Sequence, residues 1–283
     1  MKSVKDTFTL NNNVKIPCVG FGTWQAQEGE TAFQAVKAAF DAGYRHIDTA
    51  AGYGNEKSVG RAVKESGLPR EEVFITSKLG NDDHGYDETL AAFEKTMKNL
   101  DMDYLDLYLI HWPNPIKSRD NWQQANAGTW KAFEKLYESG RIRSIGISNF
   151  MPHHIDALLE TARIKPMVNQ IKLCPGETQE SVVDYCRKQD ILLEAYSPLG
   201  TGEIFDVPDM KKLSEKYNKS IAQIALKWSL QMGFLPLPKS VTPSRIRENI
   251  ELFDFELSQE DLKMIAGLED CCGKATDPDT TSF

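Results

Sequence analysis

Along most of the chain, short apolar runs alternate with longer segments whose apolar positions recur every three or four residues. The runs occupy residues 18–22, 44–48, 73–78, 104–111, 142–149, 166–170, 191–197 and 234–239, and each predicts a strand. The segments 31–43, 56–67, 87–100, 126–140, 151–163 and 178–189 predict amphipathic helices, as do the pair 209–218 and 220–232 and a last one at 242–253. Strand and helix in alternation predict βα units and a parallel sheet. Eight such strands point to an α/β fold, a closed (β/α)8 TIM barrel, with an open doubly wound sheet as the structural alternative. Ahead of this rhythm, FTLNNNVKIP (8–17) reads as an N-terminal β-hairpin, two apolar runs around an Asn cluster suited to a turn. Behind it, LEDCCGKATDPDTTSF is a short polar C-terminal tail expected to pack over one barrel end. No linker or charge block divides the chain and no repeat beyond the βα rhythm is visible, so residues 1–283 read as a single domain.

The strand endings carry the chemical signal. The apolar runs end in Asp48, Lys78, His111, Ser148–Asn149, Gln170, Tyr196–Ser197 and Lys239–Ser240. In a parallel barrel all of these endings meet at one face, where barrel enzymes keep their chemistry. Taken singly each has a plain structural reading: a capping Asp48, a loop aromatic at Tyr53, a solvated Lys78, a core histidine at His111. Taken together, Asp48, Tyr53, Lys78 and His111 suit carbonyl reduction. A tyrosine holds its proton at neutral pH, and a neighbouring lysine is expected to lower its pKa towards the working range. Asp48 would balance the lysine, and His111 would orient the carbonyl oxygen by donating a hydrogen bond.

Composition narrows the class. The formal net charge of -8 disfavours nucleic acid or an anionic membrane as partner. No run approaches the roughly 20 apolar residues of a membrane helix, and the first residues lack a signal-peptide core. Five cysteines without a regular framework suit a reducing, cytoplasmic setting. Other motifs fail. GFGTWQ lacks the third glycine of a dinucleotide fingerprint, and GYGNEKS lacks the glycine a phosphate loop needs before its lysine. No nucleophile elbow appears, and His153 and His154, adjacent at a helix start, are expected to face different ways and so make a poor metal pair; no metal site is expected.

Several of these segments match a known family almost end to end: GFGTW (20–24), GYRHIDTAAGYGNEKSVG (43–60), VFITSKL (73–79), YLDLYLIHWP (104–113), SIGISNF (144–150), VNQI (168–171), EAYSPLG (194–200) and LPKSVTPSRIREN (237–249). The chain resembles the aldo-keto reductases, and its compact length is similar to that of the bacterial members. The resemblance implies NADPH-dependent interconversion of small carbonyl compounds and alcohols, with Asp48, Tyr53, Lys78 and His111 as the catalytic tetrad. It implies that nicotinamide stacks on Tyr196, that Ser148, Asn149 and Gln170 hold its carboxamide, and that the diphosphate lies by Ser197, Leu199 and Gly200. Lys239, Ser240, Thr242 and Arg245 would meet the 2′-phosphate, and Glu248 and Asn249 the adenine. Thr242 as N-cap, Pro243 behind it and two nearby cations agree with a phosphate site, although a capped helix with surface cations reads the same way.

Trp24, Gly80 and Trp112 are expected to line the substrate pocket. Gly80 stands where the family often has an aromatic, which predicts a wider pocket, and NQIKLCPG departs from the common NQIEYHP and places Lys172 near the rim, where it would either favour anionic substrates or face solvent. The expected partner is a small-molecule carbonyl substrate, and the expected state a monomer. A dedicated reductase of keto sugars or keto acids is the alternative within the class, and a non-catalytic nucleotide-binding protein the alternative outside it.

Overall fold

The computed structural model describes every residue from Met1 to Phe283 except Asp270. The hairpin forms from β1 (Thr7–Thr9) and β2 (Lys15–Pro17), paired antiparallel. Eight further strands follow: β3 (Phe21–Gly22), β4 (His46–Asp48), β5 (Phe74–Leu79), β6 (Leu107–Ile110), β7 (Ile145–Ser148), β8 (Val168–Lys172), β9 (Leu192–Tyr196) and β10 (Leu235–Leu237). They pair in parallel in simple sequence order from β3 to β10. The ends of that series join: Gly20 N donates to Pro236 O at 3.1 Å and Gly22 N to Pro238 O at 3.0 Å. This closure settles the architecture as a barrel and discards the open sheet. Gly20 permits it, because a Cβ there would lie 2.4 Å from Leu237 Cδ2 and 2.6 Å from His46 Nδ1.

The helices sit outside. They are α1 (Glu30–Ala42), α2 (Glu56–Glu65), α3 (Tyr86–Leu100), α4 (Trp122–Glu138), α5 (Pro152–Leu159), α6 (Glu180–Lys188), α7 (Pro208–Tyr217), α8 (Ile221–Gln231), α9 (Pro243–Glu248) and α10 (Gln259–Ala266). Their apolar stripes decide which side faces the sheet. In α1, Ala32, Phe33, Ala35, Val36, Ala39 and Phe40 are buried while the intervening polar positions face out. Helix α10 had no counterpart among the expected elements; Ser258 caps it by accepting from Asp261 N.

The two mouths of the barrel differ. The hairpin closes the N-terminal mouth: Asn11 Nδ2 donates to Pro166 O and Asp190 O, and Asn12 Nδ2 to Arg143 O, all at 3.0 Å. The C-terminal mouth is left for chemistry and is crossed by the polar tail, as expected. Lys172 Nζ binds the carbonyls of Cys272, Gly273 and Lys274. Farther on, Arg119 holds Thr281 O at 2.7 Å, and the Phe283 ring meets Trp112 edge-on at 4.9 Å. Lys172 therefore ties the tail to β8, a contact the sequence does not announce. No helix is long and apolar enough to cross a membrane among the described residues.

Candidate active site

Strand register brings the predicted endings together. Asp48 ends β4 and Lys78 lies one strand over on β5, both at the same mouth. Lys78 is fully buried, and its Nζ lies 2.7 and 2.9 Å from the two oxygens of Asp48, 3.0 Å from Thr49 O and 3.2 Å from Tyr53 Oη. Tyr53 sits in a single 3-10 turn, Ala51–Tyr53, immediately after β4. That turn is pinned by buried Asn55, which donates to Thr23 O and Ala26 O and accepts from Thr49 Oγ1 at 2.7 Å. His111 follows β6, with its ring edge-on to Tyr53 at 5.7 Å. All four proposed catalytic side chains thus form one cluster.

The electrostatics refine the expectation for Tyr53. Burial is the largest influence and raises the phenol above its ordinary value; Lys78 pulls it back and Asp48 pushes it up. The net direction is upward, so Lys78 offsets desolvation without bringing the phenol into the working range. Lys78 keeps its proton: burial works against it, but Asp48 and Tyr53 outweigh burial and raise its pKa. His111 is driven down to about 3 by burial, then by Lys78 and His84, and is therefore a neutral imidazole.

The expected cofactor residues form the neighbouring rim. Ser148 Oγ donates to Gln170 O at 2.8 Å, Asn149 Nδ2 donates to His111 O at 3.0 Å, and Tyr196 Oη donates to Asn149 Oδ1 at 2.8 Å. Asn149 and Ser197 hold left-handed backbone, φ 62° and 47°, a cost that clusters at functional sites. Leu199 and Gly200 follow in the turn after β9, and Gly200 lies against Cys272 of the tail, where a Cβ would come within 2.4 Å of its Cβ. Lys239 and Ser240 follow β10, with Lys239 Nζ reaching Gln25 O at 3.4 Å. Thr242 is the N-cap residue of α9 with Pro243 at its first position, yet the Thr242 hydroxyl makes no capping bond; instead Thr242 N donates to Ser240 Oγ. Arg245 is exposed and has no ion-pair partner among the described residues, whereas Glu248 is half-buried and Asn249 buried.

Of the expected substrate residues, Trp24 is exposed at the rim and Trp112 lies half-buried against Phe283. Gly80 opens the loop after β5. A Cβ there would meet Asp83 Oδ2 at 2.6 Å, so the Asp83 carboxylate occupies part of the space that a larger residue would need.

Two groupings depart from the sequence reading. Inside the barrel, His46, Thr76 and Glu194 are fully buried next to Asp48 and Gln170, although none of them ends its strand run. At the rim, the His153 and His154 rings lie 3.9 Å apart, tilted by 40°, and both reach Asp279 of the tail, at 3.1 and 2.9 Å, which corrects the expectation that they face different ways. His154 Nδ1 accepts from Met151 N, so its Nε2 carries the proton and donates to Asp279. The arrangement clasps the tail.

The closed barrel gathers half-buried Tyr53 with buried Lys78 and Asp48 beside His111, at the mouth where the strands end. Residues 18–270 match the aldo/keto reductase family model, and the chain belongs to that family. It is accordingly an NADP-dependent carbonyl-reducing enzyme. Among its relatives, a glyoxal reductase of Bacillus subtilis is 50% identical over 281 residues, 99% of each chain. The fold superposes on an aldo-keto reductase from a Medee basin deep-sea metagenome library with a TM-score of 0.92 at 44% identity, covering 98% of this chain and 100% of that one. A Bombyx mori aldo-keto reductase in complex with NADP matches with a TM-score of 0.85 at 37% identity, covering 94% and 92%.

Proposed function

We propose that this protein reduces small aldehydes and ketones, dicarbonyls such as glyoxal among them, with Tyr53 as the proton donor. The observation that carries this reading is Lys78 Nζ, buried and bonded at once to Asp48 and to Tyr53 Oη. When bound, NADPH would supply hydride chemistry at the carbonyl carbon. The protein supplies the rest. Tyr53 Oη gives its proton to the carbonyl oxygen, and the Lys78 cation, 3.2 Å away, stabilises the phenolate that forms. Asp48 keeps Lys78 charged and in place. Neutral His111 donates a hydrogen bond that orients the carbonyl oxygen.

The donor set at the rim fits the cofactor. Ser148, Asn149 and Gln170 offer hydroxyl and amide groups for a carboxamide, and the Tyr196 ring offers a stacking face. Ser197, Leu199 and Gly200 form the turn proposed for the diphosphate. The cations Lys239 and Arg245, with the hydroxyls of Ser240 and Thr242, suit a 2′-phosphate; Glu248 and Asn249 would meet the adenine. Trp24, Trp112 and the loop at Gly80 border the substrate space. The broad reading is favoured over a dedicated keto-acid reductase because Lys172 is engaged with the tail carbonyls. The chain is proposed to act as a monomer.

Tyr53→Phe tests the assignment. NADPH binding, followed by fluorescence, should persist, while kcat/KM for glyoxal or 4-nitrobenzaldehyde falls by roughly 100- to 10,000-fold, the range of general acid catalysis. Near-normal turnover in Tyr53→Phe would remove Tyr53 from the role.

A further inference from the structure

Within the barrel lies a second carboxyl group that the chemistry above does not use. Glu194, on β9, is fully buried. Gln170 Nε2 donates to Glu194 Oε2 and to Asp48 Oδ2, each at 2.8 Å. An amide nitrogen has two protons, so both are used inside the barrel, and Oε1 is the amide atom left for a ligand. Glu194 Oε1 has no hydrogen-bond partner and lies 3.9 Å from His46 Nε2, which itself meets Thr76 Oγ1 at 2.9 Å.

The groups around Glu194 cannot balance a second anion. From β4 it faces His46 and Asp48, from β5 Lys78, from β8 Gln170, and its register partner on β10 is Leu235. Lys78 is already paired with Asp48. His46 is driven down to about 3 by burial, so it supplies no cation. An uncompensated buried carboxylate is costly, and burial, with Asp48 adding to it, pushes the Glu194 carboxyl up to about 8.

We propose that Glu194 is a proton-carrying positioning residue: it orients the Gln170 amide towards the cofactor, and the negative charge it gains in alkaline solution helps keep the proton on Tyr53. The link to Tyr53 runs through Gln170, Asp48 and Lys78 by hydrogen bonds none longer than 3.2 Å. Across such a chain of four hydrogen bonds, at an effective dielectric constant near about 20, a unit charge shifts the far group's titration by on the order of one pH unit.

Glu194→Gln keeps the size and an acceptor for Gln170 and removes the titration. In infrared difference spectra of the cofactor-free protein, wild type should show a protonated carboxyl signal at neutral pH that is absent from Glu194→Gln. The alkaline limb of kcat/KM for aldehyde reduction should move down by about one pH unit in Glu194→Gln. NADPH affinity should stay within about twofold in that variant, whereas Glu194→Leu, which leaves the Gln170 amide without one anchor, should weaken it by about fivefold or more. Alkaline limbs that coincide, or no protonated carboxyl at neutral pH, would overturn the proposal; if Glu194→Leu does not fold, Glu194→Gln decides alone. The inference rests on the catalytic reading above, but the infrared signal needs neither cofactor nor turnover, so the two can fail separately.

Discussion

Lys78→Met removes the cation that faces Asp48 and leaves the carboxylate buried. In wild type Lys78 Nζ meets Asp48 twice, Thr49 O once and Tyr53 Oη once, with both charged side chains at or below 4% exposure. Methionine replaces most of the stem, so the loss is mainly electrostatic. Removing one partner of a buried pair costs about 3–5 kcal/mol, because a charge is stranded. Asp48 keeps the Gln170 bond, which places the expected loss towards the lower half of that range. The double variant Lys78→Met/Asp48→Asn removes the stranded charge and should recover most of the stability, short of about 1 kcal/mol for each lost bond to Thr49 O and Tyr53. Turnover should not recover. Without Lys78 the phenolate of Tyr53 is uncompensated in both variants, and kcat/KM should stay about 100- to 10,000-fold down. Urea unfolding followed by circular dichroism measures the first quantity, and aldehyde reduction the second. A single variant as stable as wild type, or a double variant that turns over, would refute this reasoning.

Arg245→Ala should weaken NADPH about tenfold and NADH less than about twofold, since its exposed guanidinium would meet only the 2′-phosphate and solvent screens part of the gain; equal losses in fluorescence titrations would exclude that contact. Gly80→Trp must displace the Asp83 carboxylate and should lower kcat/KM for a bulky aldehyde relative to a small one, whereas an unchanged ratio would place Gly80 outside the pocket. Stability should peak at about pH 7. His46 and His111 lie at about 3 and His84 and His154 at about 4, all lowered chiefly by burial, so each loses stability as pH falls from about 6.5 towards those values, by up to about 1.4 kcal/mol per pH unit. Glu194 acts in the opposite sense: its folded-state pKa of about 8 is raised by burial, so its stabilisation is lost as pH rises from the usual carboxyl range through that value. Urea midpoints should therefore fall slightly between about pH 7 and 8 in wild type but not in Glu194→Gln; midpoints that keep rising over that interval in wild type would contradict the assignment.

The barrel and the main cluster were legible because topology leaves little choice. Once the βα alternation calls for parallel strands, Asp48, Lys78, His111, Asn149 and Gln170 must finish at the same mouth. Helix α10 was not anticipated: SQEDLKMIA follows the last βα unit, where the alternation no longer predicts what comes next. Lys172 and Gly80 depart from the family pattern in the sequence, but the contacts that surround them are not legible there. Lys172 meets backbone carbonyls about a hundred residues away in sequence, and Asp83 folds back over the Gly80 position.

The sequence alone determined the order of the elements, the end of the barrel that holds the chemistry and the residue types available there, because these follow from periodicity and from the geometry of parallel strands. Tertiary structure decided which polar groups lose their water and what they meet in exchange. Glu194 sits in the middle of ILLEAYS rather than at its polar end, and only strand register turns it towards Gln170 and away from the helices. The upward shift of Tyr53 likewise depends on the balance of burial, Lys78 and Asp48. Desolvation and pairing depend on distances between residues far apart in the chain, and local pattern does not encode those distances.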